Sequence, residues 1–212
     1  QVKKIGVTEI ACLIDYGIPK DTVLEGLRPL TEVVRRCNEG EALDANDFSV
    51  AAQIVRHGVT HMQCTPSMAR MLLMNDETRQ ALGGLTQILL GGEALPGALV
   101  EEMAANTSAD ILNMYGPTET TVAVTLHRCN TDSKATFVPL GTPAFNTEVA
   151  VVLEDESHAP VGVPGELWLR GECLAAGYWE KPDHTAKQFG QASLNEVEQR
   201  WYKTGDQARW TS

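Results

Sequence analysis

The chain has 212 residues, enough for one large core or two smaller ones. Its hydrophobic fraction of 43% and charged fraction of 21% are those of a soluble globular protein, and a net charge of -11 argues against a nucleic-acid partner. No apolar run approaches the ~20 residues that span a bilayer, and the N-terminal QVKKIGVTEI lacks a signal-peptide core, so the expectation is a cytoplasmic protein with no membrane partner.

Five cysteines, Cys12, Cys37, Cys64, Cys129 and Cys173, make an odd set with no C-x-x-C spacing. They argue against a zinc site or a disulfide framework and fit a reduced cytoplasm. The histidines are dispersed too. His57 and His61 straddle a Gly-Val break rather than sharing a metal-binding helix face.

In chain order, residues 5–16 read as a buried strand, followed by an amphipathic helix that Asp21 or Thr22 can cap. Residues 37–47, CNEGEALDAND, have the composition of a linker. Beyond it the pattern alternates: a helix at 48–57, a strand at 59–64, a helix over TPSMARMLLM, a strand at 85–90, a helix at 96–105 and a strand over ADILNMY. Such alternation predicts an α/β subdomain, placed at 48–135, with a mainly parallel sheet and ligands beyond the carboxyl ends of its strands. An apolar run from Val122 to Leu126 reads as the next extended segment.

From about Thr136 the texture changes to short alternating segments, TEVAVVLE and GELWLRG, which predict an antiparallel sheet or small barrel over 136–212. KPDHTAKQF reads as a turn and short helix. RWYKTGDQARW reads as a strand, a tight Thr-Gly-Asp turn and another strand.

Three polar turns carry the candidate chemistry. Asn113 to Thr121, NMYGPTETT, packs an aromatic ring, a Gly-Pro bend, hydroxyls and a carboxylate into one connection, more than a reversal of direction needs. The Tyr115 ring can stack on a flat ligand, Thr118 can donate to a phosphate oxygen and Glu119 can hold a hard cation such as magnesium. Gly91-Gly92-Glu93-Ala94 ends a strand, and its glycines let a ring lie against the backbone, although a plain strand-to-helix turn has the same composition. In Thr204-Gly205-Asp206 the carboxylate can accept from a ribose diol. No Walker-type loop and no Ser-His-Asp set is present in the sequence.

GGEALP, NMYGPTETT, VPLGTP, GELWLRGECLAAGYWEKPDHTAKQF and YKTGDQARW follow one another in an order and spacing that resembles the core motifs of amino-acid adenylation domains of nonribosomal peptide synthetases. These belong to the acyl-adenylate-forming superfamily. The resemblance implies the large N-terminal part of such an enzyme, an α/β subdomain followed by a small antiparallel, barrel-like one. It implies ATP and Mg2+, an amino-acid substrate, and partners in a phosphopantetheine-bearing carrier domain and other synthetase domains. It assigns the adenine to Gly91, Gly92, Glu93, Ala94, Asn113, Tyr115 and Gly116, the α-phosphate to Thr118, the metal to Glu119 and the ribose to Asp206. It lines the substrate pocket with Gln63, Leu89, Gly91, Met114, Val122 and Ala123. Gln, Leu and Gly at the first three resemble glycine-activating domains, and Ala123 stands where such domains carry a Trp. A small neutral amino acid, glycine first, is the expected substrate.

The family's phosphate loop, substrate-anchoring aspartate and catalytic lysine are not in this sequence, so the expectation is that the chain alone does not complete adenylation. Residues 1–36, with VTEIACLIDYGIP and the helix after it, resemble the carboxyl end of a luciferase-like, flavin-dependent monooxygenase domain of the kind inserted in some adenylation domains. Acyl-CoA synthetases and aryl-acid ligases of the same superfamily are the alternative among enzymes, and a nucleotide-binding remnant is the alternative outside them.

Overall fold

The computed structural model describes residues 48–129, 135–194 and 198–211. The expected strand at 5–16, the helix after it and the linker at 37–47 lie outside them. Described residues fall into two compact units: the first runs through Ile111 and resumes at Cys129–Thr136, and the second comprises Leu112–Arg128 and the chain from Phe137. Among the described residues no helix is long and apolar enough to cross a membrane.

In the first unit, helix α1 (Val50–His57) starts where the Ser49 side chain accepts from the Ala52 amide at 3.1 Å and stops at Gly58, whose φ of 56° suits a left-handed cap. Strand β1 (His61–Cys64) follows, then α2 (Pro66–Leu73), capped by Thr65 with Pro66 in its first turn. Helix α3 (Asp76–Ala81) was not expected. Its signal is nonetheless local: Asn75 accepts from the Thr78 amide at 3.0 Å, and Asp76 and Glu77 sit against the positive end of the helix.

Strand β2 (Gln87–Gly91) pairs parallel with β1, Met62 opposite Ile88 and Gln63 opposite Leu89, as the alternation predicts. Helix α4 (Gly97–Ala104) contacts α2, which in turn packs on β2. The core here is Ala69, Leu72, Leu73, Leu82, Ile88, Leu90, Leu99 and Met103, all buried. Each large member contributes about 1.5 to 3 kcal/mol of transfer free energy. Strand β3 (Asp110–Tyr115) begins in this unit, where the Asp110 amide donates to the Thr86 carbonyl at 2.9 Å, and continues into the second.

In the second unit the pairing is antiparallel, which corrects the expectation of a mainly parallel sheet. Strand β4 (Thr125–Arg128) returns along β3, Tyr115 opposite Thr125, and β5 (Thr142–Pro143) pairs antiparallel with β4. Extended structure begins at Thr125 rather than Val122, because Thr121 and Val122 take φ of 60° and 77° and turn the chain back.

Strands β6 (Thr147–Val152), β7 (Gly165–Gly171), β8 (Phe189–Ala192) and β9 (Gln199–Ala208) form a four-stranded antiparallel sheet in the order β6-β7-β9-β8. It is an open sheet with β6 and β8 as edges, so the antiparallel expectation holds and a closed barrel does not form. Helix α5 (Pro182–Gln188) contacts β8 and β9.

Both faces of this sheet are apolar. Val151, Leu167, Leu169, Phe189 and Tyr202 pack with Val124 on one side, and Ala150, Val152, Trp168, Ala192 and Trp201 on the other. The second face is finished by cations: Arg170 lies 5.5 Å from the Trp201 ring and Lys203 4.2 Å from the Trp168 ring.

Thr204-Gly205-Asp206 departs from the sequence reading. It is no hairpin turn, since β9 is one strand of ten residues. Trp168 pairs with Lys203 and Glu166 with Gln207, so the stretch bulges out of the ladder with Gly205 at φ 78°. Its polar groups are tied down: Thr204 Oγ1 donates to the Leu167 carbonyl at 2.7 Å, the Asp206 amide to Thr204 Oγ1 at 3.0 Å and the Gly205 amide to Glu166 Oε1 at 2.9 Å. A bulge re-aims a side chain, and this one presents Asp206.

Candidate functional site

The second unit assembles the polar residues of NMYGPTETT with partners far along the chain. Strand alternation puts Asn113 and Tyr115 on one face of β3. Asn113, 3% exposed, donates from Nδ2 to the Pro139 carbonyl at 2.9 Å, so its amide also secures the VPLGTP segment. The Tyr115 hydroxyl donates to Asp206 Oδ2, bringing the first and last motifs together. Burial, followed by that hydrogen bond and the carboxylate charge, pushes the Tyr115 phenol well above its usual range. It therefore remains a neutral donor at physiological pH.

Gly116 is a close-approach position. A Cβ there would lie 2.7 Å from the Val122 carbonyl oxygen and 2.9 Å from the Ala123 Cα, distances that no side chain tolerates against backbone. Thr118–Thr120 form a 3-10 turn, with the Thr118 side chain exposed and Thr120 buried and donating to the Pro117 carbonyl at 3.0 Å. Val122 is a β-branched residue in the left-handed region, a local strain of the sort found at binding loops.

Glu119 is half-buried, and its carboxylate accepts from the Tyr178 hydroxyl at 2.5 Å. The segment before Tyr178 is fastened to the same turn. The Ala175 amide donates to the Glu119 carbonyl at 2.8 Å, and Thr121 Oγ1 donates to the Cys173 carbonyl at 2.8 Å. Arg200 donates to the carbonyls of Ala175 at 3.0 Å and Ala176 at 2.8 Å. Sequence reasoning missed Tyr178 and Arg200. The available signal was an aromatic directly after Gly177 inside a recognised motif, without any hint of its partner.

Glu119 has the chemistry of a magnesium ligand. Among the described residues no group of three or more His, Cys, Asp and Glu could form a protein-only metal cage. Magnesium is ordinarily held by one or two carboxylates with substrate phosphates completing the shell. One carboxylate beside an exposed Thr118 hydroxyl fits that mode.

The first unit carries the other expected positions. Gln63 and Leu89 are register partners on adjacent strands, and Gly91 lies two residues beyond Leu89, so all three share one face of the β1–β2 pair. Gly92 has φ of 83°. The Glu93 carboxylate is engaged locally, accepting from the Ser67 hydroxyl at 2.5 Å and the Ser67 amide at 3.0 Å at the start of α2. The Ser67 hydroxyl bond is the main reason its carboxyl is held below the usual range. Ala94 is exposed beside it. In the second unit Met114 is buried on the opposite face of β3 from Tyr115, while Val122 and Ala123 are half-buried on the return.

Residues 37–179 match the family model described as AMP-binding enzyme, and the chain belongs to that family. Within it the match is to the adenylation type found in nonribosomal peptide synthetases. The Dimodular nonribosomal peptide synthase of Bacillus subtilis (strain 168) is 37% identical over 162 residues, covering 76% of this chain and 7% of that protein. The chain therefore spans only a small part of the length of the relatives it matches. PA1221, an NRPS protein containing adenylation and PCP domains, superimposes with a TM-score of 0.72 at 28% identity over 76% of this chain and 33% of that one. AB3403, a four-domain nonribosomal peptide synthetase solved with AMP and glycine, gives a TM-score of 0.69 at 34% identity over 76% of this chain and 12% of that one.

Proposed function

We propose that this chain is part of an ATP-dependent amino-acid-activating domain of a modular peptide synthetase. The observation that carries the reading is the Tyr115–Asp206 hydrogen bond, which joins two motifs 91 residues apart. In the reaction, a carboxylate oxygen of the amino acid attacks the α-phosphorus of ATP. The bond to the bridging oxygen breaks, pyrophosphate leaves, and an aminoacyl adenylate remains. A phosphopantetheine thiol on a carrier domain then attacks the acyl carbon, AMP departs, and a thioester forms. Such chemistry depends on positioning and charge neutralisation, which suits a site of donors and binding carboxylates with no general base.

In the second unit Tyr115, Asn113 and Gly116 are assigned to adenine, Asp206 to the ribose hydroxyls, Thr118 to the α-phosphate and Glu119 to Mg2+. When bound, that ion neutralises phosphate charge. In the first unit the family resemblance assigns the Gly91-Gly92-Glu93-Ala94 turn to the nucleotide and Gln63, Leu89 and Gly91 to the amino-acid side chain; on the same ground, by sequence alone, it assigns Met114, Val122 and Ala123 of the second unit to the amino acid. The Glu93–Ser67 bonds support a backbone role for that turn, since its carboxylate is already engaged.

Glycine is the first candidate substrate. The Gln63, Leu89, Gly91 pattern and the likeness to AB3403, whose structure carries glycine, support it. Ala123 makes room for a slightly larger side chain, and a hydrophobic pocket separates such substrates by only about 1 to 3 kcal/mol per methylene.

Residues 1–36 are proposed to be the end of a luciferase-like monooxygenase domain preceding the linker at 37–47, with adenylation subdomains at 48–135 and 136–212. The coding sequence adjoining residue 1 tests that part: a luciferase-like monooxygenase reading frame running into it would support the reading, and an unrelated one would remove it. The main reading is tested by calorimetry with α,β-methylene-ATP across a magnesium series. Glu119→Gln is expected to abolish the magnesium dependence of binding, and an unchanged dependence would overturn the assignment.

A further inference from the structure

We infer that Tyr178 is the positioning residue for the Glu119 carboxylate, fixing its orientation for a divalent cation. The inference rests on the assignment of Glu119 to Mg2+ above.

A glutamate on a short 3-10 turn can adopt many rotamers, and few of them direct an oxygen at a phosphate-bound cation. Glu119 is restrained at both ends by one short segment: the Ala175 amide holds its backbone carbonyl at 2.8 Å, and the Tyr178 hydroxyl holds one carboxylate oxygen at 2.5 Å. A charged acceptor makes the second bond a strong one. It engages Oε1 of the carboxylate.

Tyr178 is itself anchored more firmly than a surface tyrosine requires. Its amide donates to Thr185 Oγ1 at 2.9 Å. Its ring lies against His184, with centroids 4.4 Å apart, and edge-on to Phe189 at 5.7 Å. Gly177, at φ 150°, has no room for a Cβ against the Thr185 side chain, so the backbone reaching Tyr178 has one course. Arg200 grips the two preceding carbonyls while its guanidinium covers the Phe189 ring at 4.7 Å. The Tyr202 hydroxyl shares hydrogen bonds with the Tyr178 hydroxyl and with the Glu119 carboxylate. Metal sites commonly use such an outer group to orient a carboxylate, and losing it typically lowers metal affinity about tenfold or more.

The test uses the full chain, α,β-methylene-ATP as nucleotide and MgCl2 as the varied component, read by calorimetry. In Tyr178→Phe, which keeps the ring packing, the magnesium concentration at half-saturation is expected to rise about tenfold. Excess magnesium should restore the nucleotide affinity, a rescue that general loosening of the fold would not permit. Thr185→Val, which removes the acceptor for the Tyr178 amide but spares the hydroxyl, should shift the midpoint the same way by less, and it keeps the question answerable if Tyr178→Phe folds poorly. An unchanged or lower midpoint in a folded Tyr178→Phe, with Glu119→Gln magnesium-insensitive, overturns this inference alone. If Glu119→Gln retains the wild-type magnesium response, the cation assignment fails and the inference falls with it.

Discussion

Three helices of the first unit, α1, α2 and α3, are started by bonds that span three residues: Ser49 to Ala52, Thr65 to Met68, Asn75 to Thr78. In the second unit the decisive polar bonds cross 91 residues between Tyr115 and Asp206, 59 between Glu119 and Tyr178, and 52 between Thr121 and Cys173. A local cap forms whenever its own helix forms. The long-range bonds exist only when the whole unit has closed, so its loops hold conformations, such as Val122 at φ 77°, that their own sequence would not choose. The contrast implies additive, tolerant energetics in the first unit and coupled, brittle energetics in the second.

The largest effect should come from the core that closes the second unit. Leu169 is fully buried between β6 and β9, and Leu169→Ala is expected to cost about 4 kcal/mol in urea unfolding. Gly116→Ala should cost about 3 kcal/mol despite adding one methyl group, because the obstacle is the Val122 and Ala123 backbone rather than a movable side chain. A loss below 1 kcal/mol would show that the loop relaxes and would weaken the claim of brittleness.

Smaller effects address the contrast itself. Ser49→Ala and Thr65→Ala should each cost about 1 kcal/mol and combine additively. Tyr115→Phe and Asp206→Asn share one hydrogen bond, so their double-mutant cycle should give a coupling of roughly 1 kcal/mol or more. Equal additivity in both units would erase the distinction.

Alkaline titration gives a further test. Tyr115, Tyr178 and Tyr202 all have folded-state phenol pKa values above the ordinary one. For a group raised in this way, the stabilisation is fully present below the unfolded value near ~10 and is lost as pH rises through the folded values. Stability should therefore fall above about pH 10, with phenolate absorbance appearing together with unfolding. Phenolate appearing at its ordinary pH in the folded protein would contradict the burial. Least in energy, burial lifts the Cys64 thiol to about 11, so alkylation of Cys64 at neutral pH should be slow compared with a free thiol.

Much of the first unit was legible because its determinants are neighbours in sequence. Ser49, Thr65-Pro66 and Gly58 mark helix ends, and QILL marks a buried strand. Helix α3 was overlooked although its Asn75 cap and first-turn acids carry the same kind of signal. The expected parallel sheet gave way to an antiparallel return after Tyr115, because two consecutive left-handed residues, Thr121 and Val122, cannot be read from side-chain pattern. The predicted Thr-Gly-Asp hairpin turn became a bulge for a related reason. A glycine and an acid signal a departure from regular backbone, but only the ladder against β7 decides whether the strand ends or swells there.

By itself, then, the sequence determined the element types, the capped helices, the family and the polar turns from which a site can be made. These follow from composition and short-range spacing. Tertiary structure alone decided that Asp206 meets Tyr115, that Glu93 is engaged by Ser67, and that Tyr178 reaches Glu119. Each of those bonds requires the chain to bring distant residues within hydrogen-bonding range, and no local preference encodes that distance.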